Sequence, residues 1–421
     1  MKRLRVKKYL FPALMLLSSM VCFALPSGSL TSNSGTWRPH TDWDFDGKRI
    51  LGHIGNDIFV WDAATGKVLQ KLKGHESALA TLQFTPDGNH ILSSSGMPFQ
   101  GGDFSPCEEP LLSKAPKDVS TRLWYLKTGK EVWKLNLHLI ARLSGDGAHL
   151  LAFALDRNCS LNSRLVMLDA STGKVLFTVA PHDFEHLDPI YDSTSMSPDS
   201  RTGYCMTLQS TMSFDLATGR VLFIKKTGPG QFGPYSIADG GLFTWIDDHK
   251  LVTWTHDGTA SRNTRIDGTW QVFAPYLGWM EGNHYLVAAQ PERSGNSGPN
   301  VSSLIRVVNA GSGETVSRLR LDVGVGEVLV NPNGKSALIW AGQDGINTPH
   351  NPLRFVMYDL ARNKILWEGG SDAFQALGFS PDGKTILFGG GPIFEVRDAT
   401  SGKVLSSLDL LGDKMGYGFG S

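Results

Sequence analysis

The sequence has little charge, little cysteine and no recognisable helix. Charged residues make up 19% of the 421 positions, and the four cysteines include no adjacent pair. No window of about 12 residues has a convincing helical period, which argues against a helical bundle. Gly-x-Ser-x-Gly and His-Glu-x-x-His do not occur, so the hydrolases and zinc proteases that carry these motifs are not indicated. We predict no catalytic residue, no cofactor, no metal site and no enzymatic activity.

Long apolar runs are also scarce, and the one that exists lies at the N-terminus. Basic residues at positions 2, 3, 5, 7 and 8 precede an apolar run over residues 9–25, and Cys22, Phe23 and Ala24 supply small residues near a cleavage position. This pattern predicts a signal peptide over residues 1–24, followed by a linker over 25–35. The protein is then exported, either periplasmic or secreted. The alternative is an uncleaved segment that anchors the chain in a membrane.

Basic residues are not in excess. Loss of residues 1–24 would remove five of the 40 basic residues and no acid, which leaves 35 basic against 40 acidic residues. A general nucleic-acid-binding protein needs a basic face, so nucleic acid is not an expected partner. No other stretch is long and apolar enough to span a membrane once the signal is cleaved.

What the sequence does contain is turns. It has 47 glycines and 21 prolines. Residues 374–408 show the underlying unit most clearly: strand, turn at Pro381, Asp382 and Gly383, strand, loop, strand, turn from Asp398 to Gly402, strand. Proline presets the backbone angle of the first corner, aspartate bonds its own backbone, and glycine accepts a left-handed conformation.

This unit recurs along the chain. First turns are predicted at Asp46, Asp87, Asp146, Asp199, Asp247, Glu281, Asn333 and Asp382, and second turns end at Gly66, Gly129, Gly173, Gly219, Gly268, Gly313, Asn363 and Gly402. The spacing is that of propeller blades, at roughly 40–50 residues. The strands are apolar on both faces, as expected when neighbouring sheets cover both. We predict an all-β single propeller over residues 36–411 and a tail over 412–421, most simply with eight blades of four antiparallel strands; seven blades plus an irregular unit is the alternative.

The residues around the second unit carry a family resemblance. Gly74 and His75, the stretch LQFTPDGNHILSSSG, and Asp118 to Trp124 resemble the WD40-type repeat propellers of bacteria. The resemblance implies a buried hydrogen-bonded set of His75, Ser94 (or Ser93), Asp118 and Trp124. Most other units lack the Gly-His pair and the tryptophan.

Trp133 and Trp367 follow their turns in a Thr-Gly-Lys-x-x-Trp pattern or a relic of it. This is similar to the docking motif of exported eight-bladed quinoprotein dehydrogenases, in which the tryptophan packs on the next blade. Those enzymes need adjacent cysteines over the quinone, and this chain has none. A quinoprotein activity is therefore not expected.

Insertions are concentrated in the loops between the second and third strands of units 2, 3, 6 and 7, over residues 97–119, 156–163, 291–303 and 342–352. In a WD40-like arrangement these loops lie at one end of the propeller, together with the connections between blades. Insertions on one face of a repeat array often mark the binding face. The candidate interaction residues at this end are Phe99, Phe104, Leu111, Leu112, His182, Asp183, Glu185 and His186.

Two further features fall at the same end. Cys107 and Cys159 lie in the inserts of consecutive units, and we predict a disulfide between them; Cys205 is predicted to be a buried small hydrophobic residue. His182 and His186 have the spacing of metal ligands on one helical face, but no helix is predicted there, so we do not assign a metal. The sequence-based expectation is a monomeric, non-enzymatic scaffold that binds a protein partner of unknown identity outside the cytoplasm. The alternative is a propeller that binds or converts a small molecule in its central channel.

Overall fold

A computed structural model describes residues 41–409 except 78, 96–116, 156–163, 180–192, 198, 207–209, 227–231, 237–241, 248–249, 256, 258, 260, 266–277, 281–284, 294–300, 310–313, 322–324, 342–352, 372–374 and 391–392. These residues form eight four-stranded antiparallel sheets. Each sheet is built from four consecutive strands, so within the described residues no strand is exchanged between the first and last sheets. The all-β propeller predicted from the repeats is confirmed.

The strands follow one another in the order a–b–c–d within each sheet. Sheets 1 to 4 contain β1 (Asp42–Trp43), β2 (Arg49–Ile54), β3 (Asp57–Asp62), β4 (Val68–Leu72); β5 (Leu79–Phe84), β6 (His90–Ser95), β7 (Ser120–Tyr125), β8 (Lys130–Leu135); β9 (His138–Leu143), β10 (His149–Leu155), β11 (Arg164–Asp169), β12 (Val175–Val179); and β13 (Ser193–Met196), β14 (Thr202–Met206), β15 (Ser210–Asp215), β16 (Val221–Lys226). Sheets 5 to 8 contain β17 (Phe232–Ser236), β18 (Leu242–Asp247), β19 (Lys250–Trp254), β20 (Ser261–Arg265); β21 (Gly278–Met280), β22 (Tyr285–Arg293), β23 (Val301–Asn309), β24 (Thr315–Leu321); β25 (Val325–Val330), β26 (Ser336–Ala341), β27 (Leu353–Asp359), β28 (Lys364–Ser371); and β29 (Gln375–Phe379), β30 (Thr385–Gly390), β31 (Ile393–Asp398), β32 (Val404–Asp409).

The hydrophobic core lies between the sheets rather than within one. One buried cluster joins sheet 1, through Ile50 and Trp61, to sheet 8, through Leu387 and Val396. Comparable clusters join sheets 1 and 2, 2 and 3, 3 and 4, 6 and 7, and 7 and 8. Because both faces of a sheet are covered, its central strands are apolar on both faces, as the sequence pattern indicated.

The two turns of sheet 8 have the conformations that their residues predict. In sheet 8, Gly383 has φ +68° and Gly402 has φ +70°. The Ser380 hydroxyl donates to Asp382 at 2.8 Å, and Asp398 accepts from the backbone N–H of Ser401 at 2.7 Å. Both turns lie at the same end of the sheet, which we call the turn end; the b–c and d–a connections lie at the opposite end, which we call the loop end.

One position on the outermost strand repeatedly joins a sheet to the next. It is the fourth residue after the second-turn glycine (or Asn363, at φ +55°). Here Trp133 donates its Nε1–H to the Ala170 carbonyl at 3.0 Å, and Trp367 donates to Ala399 at 2.9 Å. The predicted packing of both tryptophans on the next unit is confirmed.

The same position closes the ring. The Ser406 hydroxyl, on the last strand, donates to the Ala63 carbonyl of sheet 1 at 2.6 Å. The contact between sheets 8 and 1 therefore uses the same position as the other contacts, together with the buried cluster that joins these two sheets.

We expect Gly402→Ala to lower the free energy of unfolding by more than Gly55→Ala does. Both glycines have positive φ, so alanine at either position should cost about 1 kcal/mol or slightly more. A Cβ atom at Gly402 would lie 2.9 Å from the Trp367 ring, whereas a Cβ atom at Gly55 meets nothing within 4 Å. Displacement of the ring should add about 1–3 kcal/mol. Equal losses for the two variants in chemical denaturation would contradict the packing role of Trp367.

Both predicted turns of sheet 5 are wrong. In sheet 5, Asp247 ends β18 and lies between strands b and c, not in the first turn. The second turn of that sheet surrounds Asp257, which accepts from the hydroxyls of Thr255 and Thr259; β20 already ends before the predicted turn at Gly268. The repeat pattern of this unit is weak, and Asp-containing turns occur at both ends of its sheet. The turn between strands b and c was therefore mistaken for the turn between strands a and b.

The other error concerns the insert of unit 6. Residues 291–303 were predicted as a loop, but β22 extends to Arg293 and β23 begins at Val301, with Pro291 opposite Ser303. Strand pairing therefore continues through both ends of this segment, despite its polar composition.

Within the described parts of the chain, no helix has the length and apolar character needed to cross a membrane.

Candidate functional site

The most ordered polar arrangement of the described residues lies in sheet 2. His75 comes from the connection between β4 and β5, Ser93 from β6, and Trp124 from β7, while Asp118 lies just before β7. All four are buried, and the Ser93 side chain has no exposed surface. We call these four residues the sheet 2 cluster.

Hydrogen bonds run through this cluster in one direction. Trp124 Nε1 donates to Ser93 Oγ at 2.8 Å. The Ser93 hydroxyl lies 2.8 Å from His75 Nε2, and His75 Nδ1 lies 2.8 Å from Asp118 Oδ2. Tryptophan can only donate a hydrogen bond and a carboxylate can only accept one. The neutral His75 ring therefore carries its hydrogen on Nδ1, which donates to Asp118, and its Nε2 accepts a hydrogen bond from the Ser93 hydroxyl.

Ser93, and not Ser94, fills the serine position. Side chains alternate between faces along a strand, so Ser93 and Ser95 share one face of β6 while Ser94 points to the other. The Ser94 hydroxyl lies 3.0 Å from that of Thr121 and accepts from the backbone N–H of Leu139 in sheet 3. The prediction of Ser94 as the serine of the cluster is therefore wrong, and its alternative, Ser93, is correct. Three consecutive serines do not show which of them faces Trp124 until the pairing of β6 with β7 is known.

Asp118 is the centre of a larger network than the resemblance implies. It accepts from Ser120 at 2.6 Å, from Ser95 at 3.0 Å and from the backbone N–H of Glu76 at 3.2 Å. Arg122 is also buried and lies 3.1 Å from Asp118. The Arg122 guanidinium reaches Glu131 at 3.1 Å on the outermost strand. Ser95, Ser120 and Arg122 were not predicted from the sequence. Each lies two residues from a member of the cluster, and in a strand that spacing puts two side chains on the same face.

The environment keeps His75 neutral and Asp118 ionised. Burial, reinforced by the nearby Arg122 charge, lowers the pKa of His75 to about 4, although Asp118 opposes this shift. Burial alone would raise the pKa of Asp118, but hydrogen bonds from Ser120, His75, the Glu76 N–H and Ser95 together lower it. A neutral imidazole agrees with the direction of the hydrogen bonds, since Nε2 must accept.

The order Ser93–His75–Asp118 has the connectivity of a nucleophile, a base and an orienting acid. A nucleophile must reach a substrate, however, and the Ser93 hydroxyl is enclosed and already accepts from Trp124. The geometry therefore stabilises sheet 2 and fixes the connection that carries His75; it offers no attacking group.

Sheet 8 contains a sequence match to a catalytic or binding motif that its structure does not support. Residues 378–385, GFSPDGKT, match the letters of a phosphate-binding loop, Gly-x₄-Gly-Lys-Thr. That motif works when the loop opens into a helix, whose N-terminus receives the phosphate. Here Gly378 lies in β29, Gly383 lies in the turn and Thr385 begins β30. The hairpin lacks the helix that the chemistry requires.

Another buried carboxylate lies between sheets 1 and 2. Asp42 accepts from the backbone N–H of Phe84 at 2.7 Å and from that of Trp43 at 2.9 Å. Burial raises the pKa of Asp42 well above its usual range, and these two N–H groups offset only part of the effect. No feature of the repeat pattern pointed to Asp42, because its burial depends on the neighbouring sheet.

The remaining predicted site residues lie outside the described residues. They are Phe99, Phe104, Cys107, Leu111, Leu112, Cys159, His182, Asp183, Glu185 and His186. Cys205 is fully buried in β14, as predicted. Within the described ranges, no group of three or more His, Cys, Asp or Glu side chains could hold a metal ion.

Comparison with known proteins shows the fold and no more. No protein-family profile matches the chain. A segment of 50 residues, 12% of this chain, is 38% identical to Autophagy-related protein 16 from Arabidopsis thaliana and spans 10% of that protein. The chain thus covers a small fraction of the curated relative.

Solved structures match along most of the chain. They include the crystal structure of a eukaryotic initiation factor (TM-score 0.57, 12% identity, 90% of this chain and 94% of that one) and the dihydro-heme d1 dehydrogenase NirN in complex with DHE (0.56, 15%, 84% and 71%). A third is the Cps50 (Swd1) β-propeller domain of Myceliophteria thermophila (0.47, 11%, 89% and 96%). At such identities the first two support a shared fold, and activity does not follow from fold.

Proposed function

We propose that this chain is a non-enzymatic, WD40-like propeller scaffold that acts outside the cytoplasm and binds a protein partner at its loop end. The observation that carries the proposal is the unequal length of the connections at the two ends. At the turn end, strands are joined by short turns that their own aspartates and serines cap. At the loop end, β6 and β7 are separated by residues 96–119, and β26 and β27 by residues 342–352.

The sheet 2 cluster supports a binding role for the longest connection. Asp118, near the end of this connection, is held by side chains from β6 and β7 and by the backbone of Glu76. A loop that leaves a fixed base loses less conformational freedom when it binds. The apolar residues Phe99, Phe104, Leu111 and Leu112 would then supply the contact surface.

The scaffold has, in this proposal, eight blades in one ring. Each four-stranded sheet is one blade, and the contact of Ser406 with Ala63 closes the circle. The ring acts as a monomer in this proposal, and the buried contact between sheets 8 and 1, made within the chain, supports it. No nucleic acid is expected as a partner.

Export rests on residues 1–24. Cleavage there would give a mature chain that begins near Leu25 and would expose Cys107 and Cys159 to an oxidising compartment, where they would form the proposed disulfide. Intact-mass analysis of protein from the native host, with and without reduction, tests both points. A chain that retains residues 1–24 would instead favour the membrane-anchored alternative.

A loop exchange tests the binding role. Residues 98–117 are replaced by a short Gly/Ser linker, and a matched variant replaces residues 343–351 in the same way. Partners captured by chemical cross-linking on the native protein should be lost with the first replacement and retained with the second. Thermal unfolding of both variants checks that the ring is intact. Partners unchanged by the first replacement would refute a role for this insert.

The second candidate is a propeller that binds or converts a small molecule in its central channel. The likeness in fold to the dehydrogenase NirN favours it. This candidate predicts that the purified protein retains a small organic molecule, detectable by mass spectrometry after denaturation, whether or not residues 98–117 are present.

A further inference from the structure

His75 cannot take up a second proton without breaking the cluster. Its Nε2 accepts the Ser93 hydrogen, and Ser93 accepts from Trp124, which can only donate. A protonated His75 would turn Nε2 into a donor, so the Ser93 hydroxyl would have to rotate away and lose the acceptor of its own hydrogen. The side chains involved are buried, so water cannot easily supply the missing acceptor.

Two cations near His75 oppose the extra proton, and they offset the attraction of the carboxylate that contacts its ring. Asp118 favours it, but Arg122 already lies 3.1 Å from the same carboxylate oxygen. Lys134, on β8, lies 3.9 Å from the other Asp118 oxygen. Glu131 is on the same strand and pairs with Arg122. The single buried carboxylate is therefore already shared between two cations.

The connection between sheets 1 and 2 depends on these same groups. Gly74 lies against the Arg122 and Trp124 side chains, where a Cβ atom would be 2.6 Å from the guanidinium. The Glu76 N–H donates to Asp118, and the Ser77 hydroxyl accepts from the Asp118 N–H at 3.0 Å. Residues 74–77 are thus held on sheet 2 through bonds that converge on Asp118 and His75.

We propose that the hydrogen bond from Ser93 to His75 is the acid-sensitive element of a latch, which holds residues 74–77 on sheet 2 at neutral pH and releases them on acidification while the rest of the ring stays folded. This property goes beyond the proposed scaffold function and does not depend on any partner. A protein outside the cytoplasm would meet the pH of its surroundings directly.

The aspartates that cap the turns should not respond before His75. Hydrogen bonds from turn hydroxyls and N–H groups lower the pKa of Asp62, Asp169 and Asp398, so these caps remain ionised while His75 begins to take up a proton. The His75 pKa of about 4 lies below the ordinary histidine value of 6.5, so the folded state loses relative stability as the pH falls from 6.5 toward 4. Asp118 itself stays ionised over this range because its pKa is lowered.

Hydrogen exchange resolved to single amides tests the latch. After correction for intrinsic exchange rates, we expect the Glu76 amide to exchange at least tenfold faster at pH 4 than at pH 7. The Leu338 amide of β26, in the distant sheet 7, should keep its protection. Unchanged protection of Glu76 down to pH 4, or loss of Glu76 and Leu338 protection together, would overturn the proposal.

Two variants and one direct measurement complete the test. His75→Gln cannot titrate, so its Glu76 exchange should be fast at both pH values; a difference as large as that of the wild type would overturn the latch. His90→Gln, at a partly exposed histidine of the same sheet, should behave as the wild type. Nuclear magnetic resonance of the His75 ring in the wild-type protein should show the Nδ1–H form at pH 7, and the Nε2–H form there would also refute the proposal.

Discussion

Asp118→Asn should lower the free energy of unfolding by about 3–5 kcal/mol, the range expected when one partner of a buried ion pair is removed. The amide cannot accept all the hydrogen bonds that the carboxylate accepts from Ser120, His75, Ser95 and Glu76. Among its charged partners in the described part of the chain, Arg122 would keep Glu131. Chemical denaturation near pH 7 measures the loss.

The matched control is Asp398→Asn. Asp398 also accepts from a hydroxyl and from backbone N–H groups, but it does so in a solvent-exposed turn. Its replacement should cost only about 0.5–1.5 kcal/mol, since water can satisfy the released donors. A loss at Asp118 no larger than that at Asp398 would show that burial of the sheet 2 cluster contributes little.

Asp42→Asn should remove a pH dependence of the free energy of unfolding whose sign is opposite to that expected for Asp398. The pKa of Asp42 is raised on folding, so its contribution is most favourable below the unfolded value near 3.8 and is lost as the pH rises through the folded value. One proton changes the free energy of unfolding by at most about 1.4 kcal/mol per pH unit. The variant should therefore gain stability relative to the wild type as the pH rises.

Denaturation curves at several pH values between 4 and 8 measure this difference. Asp398→Asn again provides the contrast, because the pKa of Asp398 is lowered and its contribution is lost as the pH falls. If the difference between Asp42→Asn and the wild type stays constant with pH, Asp42 does not carry a raised pKa in the folded protein. Asp42 would then contribute through its hydrogen bonds from the Phe84 and Trp43 backbone N–H groups.

Much of the fold could be predicted because its signals are local. A Pro-Asp-Gly or Asp-x-x-Thr-Gly turn depends on the conformations of a few consecutive residues. Gly383 and Gly402 have the positive φ that the pattern required. Repetition of such turns, with strands apolar on both faces, was enough to predict four-stranded units around a ring.

Prediction failed where several local signals were equivalent. Asp247 and Asp257 both offer a turn in sheet 5, and only strand pairing decides which turn joins strands c and d. Ser93, Ser94 and Ser95 are chemically alike, and only the register of β6 against β7 places Ser93 beside Trp124. A shift of one residue would reverse the faces.

The second unit, which carries the Gly-His and Asp-to-Trp signals, shows the division most clearly. The sequence by itself determined the repeated turns, and its resemblance to WD40-type repeats implied that His75, Asp118 and Trp124 form a buried polar set. Only the tertiary structure decided that Arg122 and Glu131 extend the network, and that Asp42 is buried against Phe84. The network around Arg122 and the burial of Asp42 depend on which side chains the neighbouring strands and sheets shield from water. That shielding is set by packing between residues distant in the sequence, so the local sequence does not specify it.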